Sequence, residues 1–300
     1  MKKRTKLLMT VAVLLSVIGI TVGLVGLCMM DGDWSQLANE PSITSTHELT
    51  DPFSNIVIEV DTADVIVIPA SDGKSCVKTL DTEKYHHEVS VENGTLTIRL
   101  CDNRKWYDKI GFYSADTKVV LSLDASTYAL LTVKGSTCDV SVQNGLLFEA
   151  VDIKTSTGNV SFDAQVAGAL SIKTSTGDVE IVGASAGALS VRTSTGKTVI
   201  KDSSFATVSI VGRTGGVKLA DVTAQVLSIT THTGDVELIR SDAEELAIAT
   251  DTGDVEGSLL SGKIFEVKTD TGKVQVPQSD PSGGFCRITT DTGDVKITVG

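Results

Sequence analysis

Apolar and polar residues alternate along most of the chain after residue 130, and the alternation returns in copies spaced about 19 residues apart. In one copy Leu170 and Ile172 are apolar, Ser171 and Lys173 are polar, and the letters STGDV (residues 175–179) follow. A period of two is typical of a strand with one face inward and the other in water, and the glycine indicates a turn. Each copy therefore predicts a strand, a turn and a second short strand.

A glycine holds the turn position of eight copies, and Cys138 holds the same position in the copy before them. Glycine adopts positive φ without a Cβ clash, so we predict a conformational role for these residues. The turn glycines are Gly158, Gly177, Gly196, Gly215, Gly234, Gly253, Gly272 and Gly293.

Threonine stands immediately before the turn position in all nine copies and also two residues earlier in most of them. Both columns continue the inward alternation, so we expect stacked hydroxyl groups that bond one another. A single copy cannot bury its apolar face, whereas nine stacked copies can. The sequence thus predicts an all-β fold, a single-stranded β-helix (β-solenoid) with rungs of about 19 residues.

The N-terminal segment predicts a membrane anchor. Residues 7–30 contain no charge, and these 24 residues form a helix of about 36 Å, long enough to cross a bilayer. Lys2, Lys3, Arg4 and Lys6 precede the run, which leaves the N-terminus in the cytoplasm and the rest outside the cell membrane. A cleaved signal peptide and a lipoprotein lipidated at Cys28 are the alternatives.

The chain divides into four parts. Residues 1–30 form the predicted anchor, 31–50 a polar tether, 51–130 an N-terminal cap with degenerate solenoid strands, and 131–300 the regular rungs. Nothing follows the last copy to cover it. We therefore expect the C-terminal rung to associate with a second copy of the chain or with another envelope component.

Charge and cysteine content narrow the partners. Without the four N-terminal cations, 22 basic residues stand against 38 acidic ones, which argues against nucleic acid and anionic lipid. The five cysteines lack a Cys-x-x-Cys pair, so neither a zinc site nor any cofactor is expected. Whether Cys76 and Cys101 form a disulfide bond is left open.

His86 and His87 are adjacent and point to opposite faces of a predicted strand, so we interpret them as ordinary surface or edge residues.

Two side-chain groups are candidate sites. An aromatic insertion could stack a sugar ring or cover the end of the solenoid, and its members are Trp106, Tyr107, Phe112 and Tyr113. An acidic turn edge could share a cation, although a solvated edge is the preferred interpretation. Its members are Asp251, Asp254, Asp270, Asp291 and Asp294. A catalytic triad of His232 with Ser228 or Asp235 is not favoured, because the strand register predicts no orienting partner.

Three features together resemble the bacterial putative-adhesin family that carries domain of unknown function 4097. They are the opening FSNIVIEVDT (residues 53–62), the run VVLSLD (residues 119–124) and the repeated letters TGDV. The similarity covers about residues 50–300. It implies a right-handed single-stranded β-helix at a bacterial envelope, with no catalytic residues to carry over, and some relatives lie near envelope-stress genes.

These observations predict a membrane-anchored extracytoplasmic solenoid that is a non-catalytic structural or binding module. Its expected partners are the membrane, through the anchor, and an envelope glycan or protein. The alternative is a polysaccharide-active β-helix enzyme, which would need acidic and basic side chains that converge on one lateral face. A ladder of Thr, Ser and Lys on the outward columns would instead favour the binding module.

Overall fold

The computed structural model describes residues 42–82, 85–103 and 117–300, together with residues 15, 16 and 19. The chain forms two compact units, and the strands described below belong to the unit of Ser42–Asp102 and Asp116–Gly300. The predicted membrane anchor lies almost entirely outside the described residues. Among the residues that are described, no helix is both long and apolar enough to cross a bilayer.

The N-terminal part of this unit mixes antiparallel and parallel strands. Residues Asn93 and Gly94 both have positive φ, and they form the tight turn of an antiparallel hairpin. The strands of this part are β1 (Ile43–Glu48), β2 (Asn55–Glu59), β3 (Asp64–Pro69), β4 (Cys76–Asp81), β5 (Tyr85–Glu92), β6 (Thr95–Asp102), β7 (Lys118–Leu123), β8 (Thr127–Thr137) and β9 (Val140–Val142).

The repeat region is parallel throughout. The strands of this region are β10 (Leu147–Thr157), β11 (Val160–Phe162), β12 (Gln165–Val166), β13 (Ala169–Thr176), β14 (Val179–Val182), β15 (Ser185–Thr195), β16 (Thr198–Val211), β17 (Val217–Thr233), β18 (Val236–Ile239), β19 (Asp242–Thr252), β20 (Val255–Leu259), β21 (Lys263–Thr271), β22 (Val274–Gln275), β23 (Gly284–Thr292) and β24 (Val295–Val299).

Each rung contributes one strand on either side of its turn, and equivalent positions pair from rung to rung. Strand β13 pairs with β10 and β15, and Ile172 lies beside Ile153 and Val191. On the other side of the turn β14 pairs with β11 and β16. The apolar columns therefore stack into one continuous core, where Leu170 and Ile172 are each 1% exposed. The predicted all-β solenoid, with its rungs in the predicted register, is confirmed.

The two threonine columns differ from the prediction in one respect. Thr174 is buried as expected, but Thr176, directly before the turn, is exposed because the chain has begun to bend there. The buried hydroxyls do not bond one another. The Thr174 hydroxyl donates to the carbonyl of Gly158 in the preceding rung at 3.3 Å, and the equivalent bond recurs at Thr155, Thr193, Thr250 and Thr290. These five threonines thus bond their own rungs to a turn of the neighbouring rung, whereas the buried Thr231 hydroxyl has no hydrogen-bond partner among the described residues.

The last two rungs stack in exchanged order, so the expectation of an uncovered C-terminal rung is wrong. Strand β23 pairs with β19 on one side and with β21 on the other, and β24 lies between β20 and β22 in the same way. Strands β21 and β22 leave the position next to β19 and β20 open, and β23 and β24 then occupy it. The proline-containing connection, residues 276–283, allows this return and lies along β21, where the Asp280 amide donates to the Lys263 carbonyl at 2.9 Å.

The N-terminal end shows the same exchange. Strand β2 lies between β6 and β8, and β3 lies between β7 and β9. Beyond this inserted rung, β5 pairs antiparallel with β6, and β4 pairs antiparallel with both β7 and β1. The strands before the turns form one sheet of the stack, and the strands after the turns form the other. Antiparallel strands extend both sheets at this end, and the β5–β6 hairpin lies at the edge of the first sheet.

Candidate functional site

The turn column is explained by backbone packing. Its eight glycines have φ between +136° and +158°. A Cβ placed on Gly177 would lie 1.9 Å from the carbonyl oxygen of Gly158. The residue after the glycine also bonds along the stack, since the Asp178 amide donates to Asn159 Oδ1 at 2.9 Å and the Lys197 amide donates to Asp178 Oδ1 at 2.7 Å. The groups of this column therefore serve the fold.

The acidic turn edge follows the same rule. Asp254 and Asp294 belong to the bonded column, because the Asp254 amide donates to Asp235 Oδ1 at 2.9 Å and the Asp294 amide donates to Asp254 Oδ1 at 2.7 Å. Lys268 neutralises Asp270 at 3.1 Å. In the described part of the chain, this edge does not bring three metal-ligand atoms within ligand distance of one another.

A triad around His232, which the sequence does not favour, does not form with Ser228. His232 Nδ1 lies 2.7 Å from Asp251 Oδ2 in the next rung, and both side chains are more than half exposed. Ser228 lies four residues earlier on the same strand, which places it roughly 13 Å away at about 3.3 Å per residue. Ser228 is therefore not within reach of this exposed pair.

The outward face of the sheet that contains β8, β10, β13 and β15 carries a row of cations. Lys134, Lys154, Lys173 and Arg192 occupy equivalent positions in four successive rungs, and all four side chains are exposed. At a strand spacing of about 4.8 Å, the row is about 14 Å long. We call these four residues the basic ladder.

The ladder is only partly neutralised. Lys134 Nζ lies 3.2 Å from Glu59, whose pKa is lowered chiefly by the hydrogen bond from Lys134. Lys154 bonds Asp152 at 2.5 Å. Within the described ranges, Lys173 and Arg192 form no ion pair. Two adjacent cations are therefore available to an anionic ligand, in a chain whose net charge is −12.

Short polar side chains border the basic ladder. Ser171 and Ser190 lie one outward position before Lys173 and Arg192, and the serine column continues beyond the ladder as Ser209 and Ser228. In the rungs of Lys134 and Lys154 the same position holds Thr132 and Asp152. Ala169 and Ala188 are paired in the column after that. No bulky side chain separates the serine hydroxyls from the cations in these rungs, so the face is flat and offers both donors and positive charge to an extended ligand.

The β5–β6 hairpin brings together side chains that the sequence interpretation kept apart. His86 pairs across the hairpin with Cys101, and Glu88 shares their face. His87 is not a surface residue, because it points inward, is fully buried and bonds Asp81 through Nδ1 at 2.6 Å. Burial opposes the ionisation of Asp81, but hydrogen bonds from His87 and from Thr79 outweigh it and lower the pKa of Asp81.

The sequence profile of the Toastrack DUF4097 family matches residues 53–215 and 204–300. The chain belongs to this family. No curated protein matches the sequence significantly.

Solved structures share the Toastrack fold at low identity. One from Parabacteroides distasonis ATCC 8503, described as a putative lipid binding protein, is 14% identical with a TM-score of 0.56, over 87% of this chain and 99% of that one. Another from the same organism, described as a putative adhesin, is 13% identical with a TM-score of 0.53, over 86% of this chain and 98% of that one. At these identities the likeness concerns the fold.

The aromatic insertion and one groove are two further candidate ligand sites. The aromatic insertion lies outside the described residues. A groove of about 650 Å³ lies between β1, β4 and the start of β8. Its polar groups bond one another, since the Tyr128 hydroxyl donates to Asp124 at 2.8 Å, and burial raises the pKa of Tyr128 to about 12. The hydrogen bond between these two lining residues therefore stabilises the groove without a ligand.

The sequence carries a signal for the basic ladder and another for the group on the β5–β6 hairpin, but the pattern of inward residues reveals neither. Lys or Arg recurs four residues before the turn position in four consecutive Toastrack rungs, and this column is outward, whereas the predicted strands rest on the inward columns. The turn at Asn93 and Gly94 also fixes the hairpin register, and that register places His86 opposite Cys101. Cys76 and Cys101 are both free thiols in the structure.

Proposed function

We propose that this chain is a non-catalytic binding module of a bacterial cell envelope, and that the basic ladder is its contact surface for an acidic envelope glycan. The observation that carries the proposal is the ladder itself, four exposed cations in register, of which Lys173 and Arg192 lie beside serines. A linear acidic chain that runs across the rungs would meet one cation at each step. Arginine, lysine and serine side chains supply the charge-assisted and neutral hydrogen bonds that carboxylate and hydroxyl groups of such a chain accept.

The distribution of charge favours a linear glycan over a flat anionic surface. Outside the N-terminal segment, acidic residues outnumber basic ones by 38 to 22, so an extended membrane or nucleic-acid surface would meet net repulsion. A narrow polymer can contact the ladder and avoid the acidic turn edge. The anionic groups of the ligand therefore need to lie within about the width of one strand face, where they contact the ladder and avoid the acidic turn edge.

Two observations support binding over catalysis. In the rungs of Lys173 and Arg192 the outward positions repeat the same residue types, a cation, a serine and an alanine, whereas an enzyme needs different groups that converge on one bond. The two Parabacteroides distasonis neighbours are described by adhesion and by lipid binding. The polysaccharide-active enzyme is the weaker candidate, since Ser228 is not within reach of the His232 and Asp251 pair.

The proposed location follows from the N-terminal sequence. Residues 7–30 anchor the chain as one membrane-spanning helix, and the preceding lysines and arginine hold the N-terminus in the cytoplasm. The solenoid then lies outside the membrane, where envelope glycans are accessible. A role in envelope stress is part of the same proposal.

We expect the double variant Lys173→Gln/Arg192→Gln to bind acidic envelope glycan about tenfold more weakly than the parent. An exposed ion pair contributes up to about 1 kcal/mol, so the loss of two approaches or exceeds the 1.4 kcal/mol that corresponds to a factor of ten. The measurement is cosedimentation of the full-length chain with purified cell-envelope glycan, at low and at high salt. Parent binding should weaken as salt rises, because exposed charges are screened.

The matched control is Lys201→Gln/Lys218→Gln, which removes the same charge from strand segments on the other side of the turn, where each lysine pairs with a glutamate. This control should bind like the parent. Equal losses in both double variants would indicate a general charge effect, and no loss in either would overturn the role of the ladder. Conversion of the glycan to shorter products during the experiment would favour the enzyme.

A further inference from the structure

The outward face of the β5–β6 hairpin holds three side chains with different metal-ligand atoms. An imidazole nitrogen of His86, a carboxylate oxygen of Glu88 and the sulfur of Cys101 all lie within 4.8 Å of one another. His86 and Glu88 are two residues apart on one strand, and Cys101 lies opposite His86 on its partner. This is the one such group that the described part of the chain contains.

The hairpin holds these side chains in a fixed register. Its turn is only Asn93 and Gly94, and eight residue pairs join the two strands. Glu88 is also free to face the other two ligands. Its cross-strand neighbour Arg99 binds Glu59 on β2, at 3.0 Å from guanidinium nitrogen to carboxylate oxygen, and so does not engage Glu88.

We propose that His86, Glu88 and Cys101 form a zinc-binding site on the outward face of the β5–β6 hairpin. Thiolate, imidazole and carboxylate are the three ligand types that proteins offer to Zn²⁺. Metal–ligand bonds of about 2.0–2.3 Å place tetrahedral ligand atoms roughly 3.3–3.7 Å apart, so small side-chain rotations bring the three atoms from their present positions to bonding distance. One tetrahedral position then remains for water.

Metal binding requires the Cys101 thiol to lose its proton. Burial raises the pKa of Cys101, and the Glu88 carboxylate beside it raises it further. Zinc binding releases the thiol proton and forms a metal–sulfur bond in its place, and the charge of the metal ion offsets the repulsion between carboxylate and thiolate.

The test uses Co²⁺ as a spectroscopic substitute for Zn²⁺ on the full-length chain after removal of metal. We expect one equivalent of cobalt to bind, with a thiolate-to-cobalt charge-transfer band and the strong visible bands of tetrahedral coordination. Added Zn²⁺ should abolish both. Cys101→Ser should eliminate the charge-transfer band and weaken binding at least about tenfold, as the loss of a metal–ligand bond requires.

The matched control is Cys76→Ser, which removes the other half-buried thiol and should leave the spectrum unchanged. His86→Ala should weaken cobalt binding without removing the sulfur, and it provides an independent test should Cys101→Ser fail to fold. A parent chain that shows no charge-transfer band would overturn the site. So would a band that persists in Cys101→Ser, one that disappears in Cys76→Ser, or cobalt binding that His86→Ala does not weaken.

Discussion

Gly234→Ala is expected to destabilise the solenoid by about 3 kcal/mol, far more than an ordinary strand substitution. Gly234 has a φ of +154°, and a Cβ built on it lies 2.2 Å from the carbonyl oxygen of Gly215 in the preceding rung. That oxygen belongs to the backbone and cannot rotate away. The strain of an L-residue at this φ adds to the clash. Urea denaturation followed by circular dichroism measures the loss.

The control for this prediction is Gly212→Ala. The nearest atom to a Cβ at Gly212 is Thr231 Oγ1 at 3.5 Å, an ordinary van der Waals contact, and its φ is not positive. This variant should change the free energy of unfolding by less than about 1 kcal/mol. If Gly234→Ala unfolds at the same urea concentration as Gly212→Ala, the turn does not have the close packing described here. Gly234→Val should be at least as damaging as Gly234→Ala.

Ile288→Ala is expected to cost about 3–4 kcal/mol, because the exchanged rung order places this side chain in the interior of the stack. Ile288 is 0% exposed and lies between Ile248 and Val267. Val267 belongs to the rung at the end of the stack and is only partly buried. Val267→Ala should therefore cost about 1 kcal/mol. The same denaturation experiment compares the two variants.

The relative size of these two effects tests the rung order. If the rungs stacked in chain order, Val267 would be enclosed on both sides and Ile288 would lie at the end. A larger loss from Val267→Ala than from Ile288→Ala would therefore contradict the exchange. Hydrogen exchange offers a second measurement, with slower exchange expected for the amides of β23 than for those of β21.

The sequence predicted the rung and could not predict the order of all the rungs. The regular repeat period and the two apolar columns define one strand, one turn and a second strand, and the structure contains them. The same columns recur in every rung, however, so Ile288 fits beside Ile248 as well as Val267 does. The choice depends on the connection at residues 276–283 and its contacts along β21, and no local pattern specifies these.

The candidate surfaces were less accessible to prediction for a similar reason. Inward columns are constrained by packing and stand out as a pattern, whereas an outward column can hold any soluble residue. The basic ladder is therefore visible only after the rungs are aligned and the outward positions are read together. His86 and Cys101 are well separated in the sequence, and only the hairpin register makes them neighbours.

The most direct measurement of the proposed binding role is the affinity of the full-length chain for acidic glycan oligomers of increasing length. The basic ladder is about 14 Å long, so affinity should rise steeply until an oligomer spans it and then level off. For Lys173→Gln/Arg192→Gln the rise should be nearly absent. An affinity that does not depend on length in the parent, or the same dependence in this double variant, would contradict a binding surface built from the ladder.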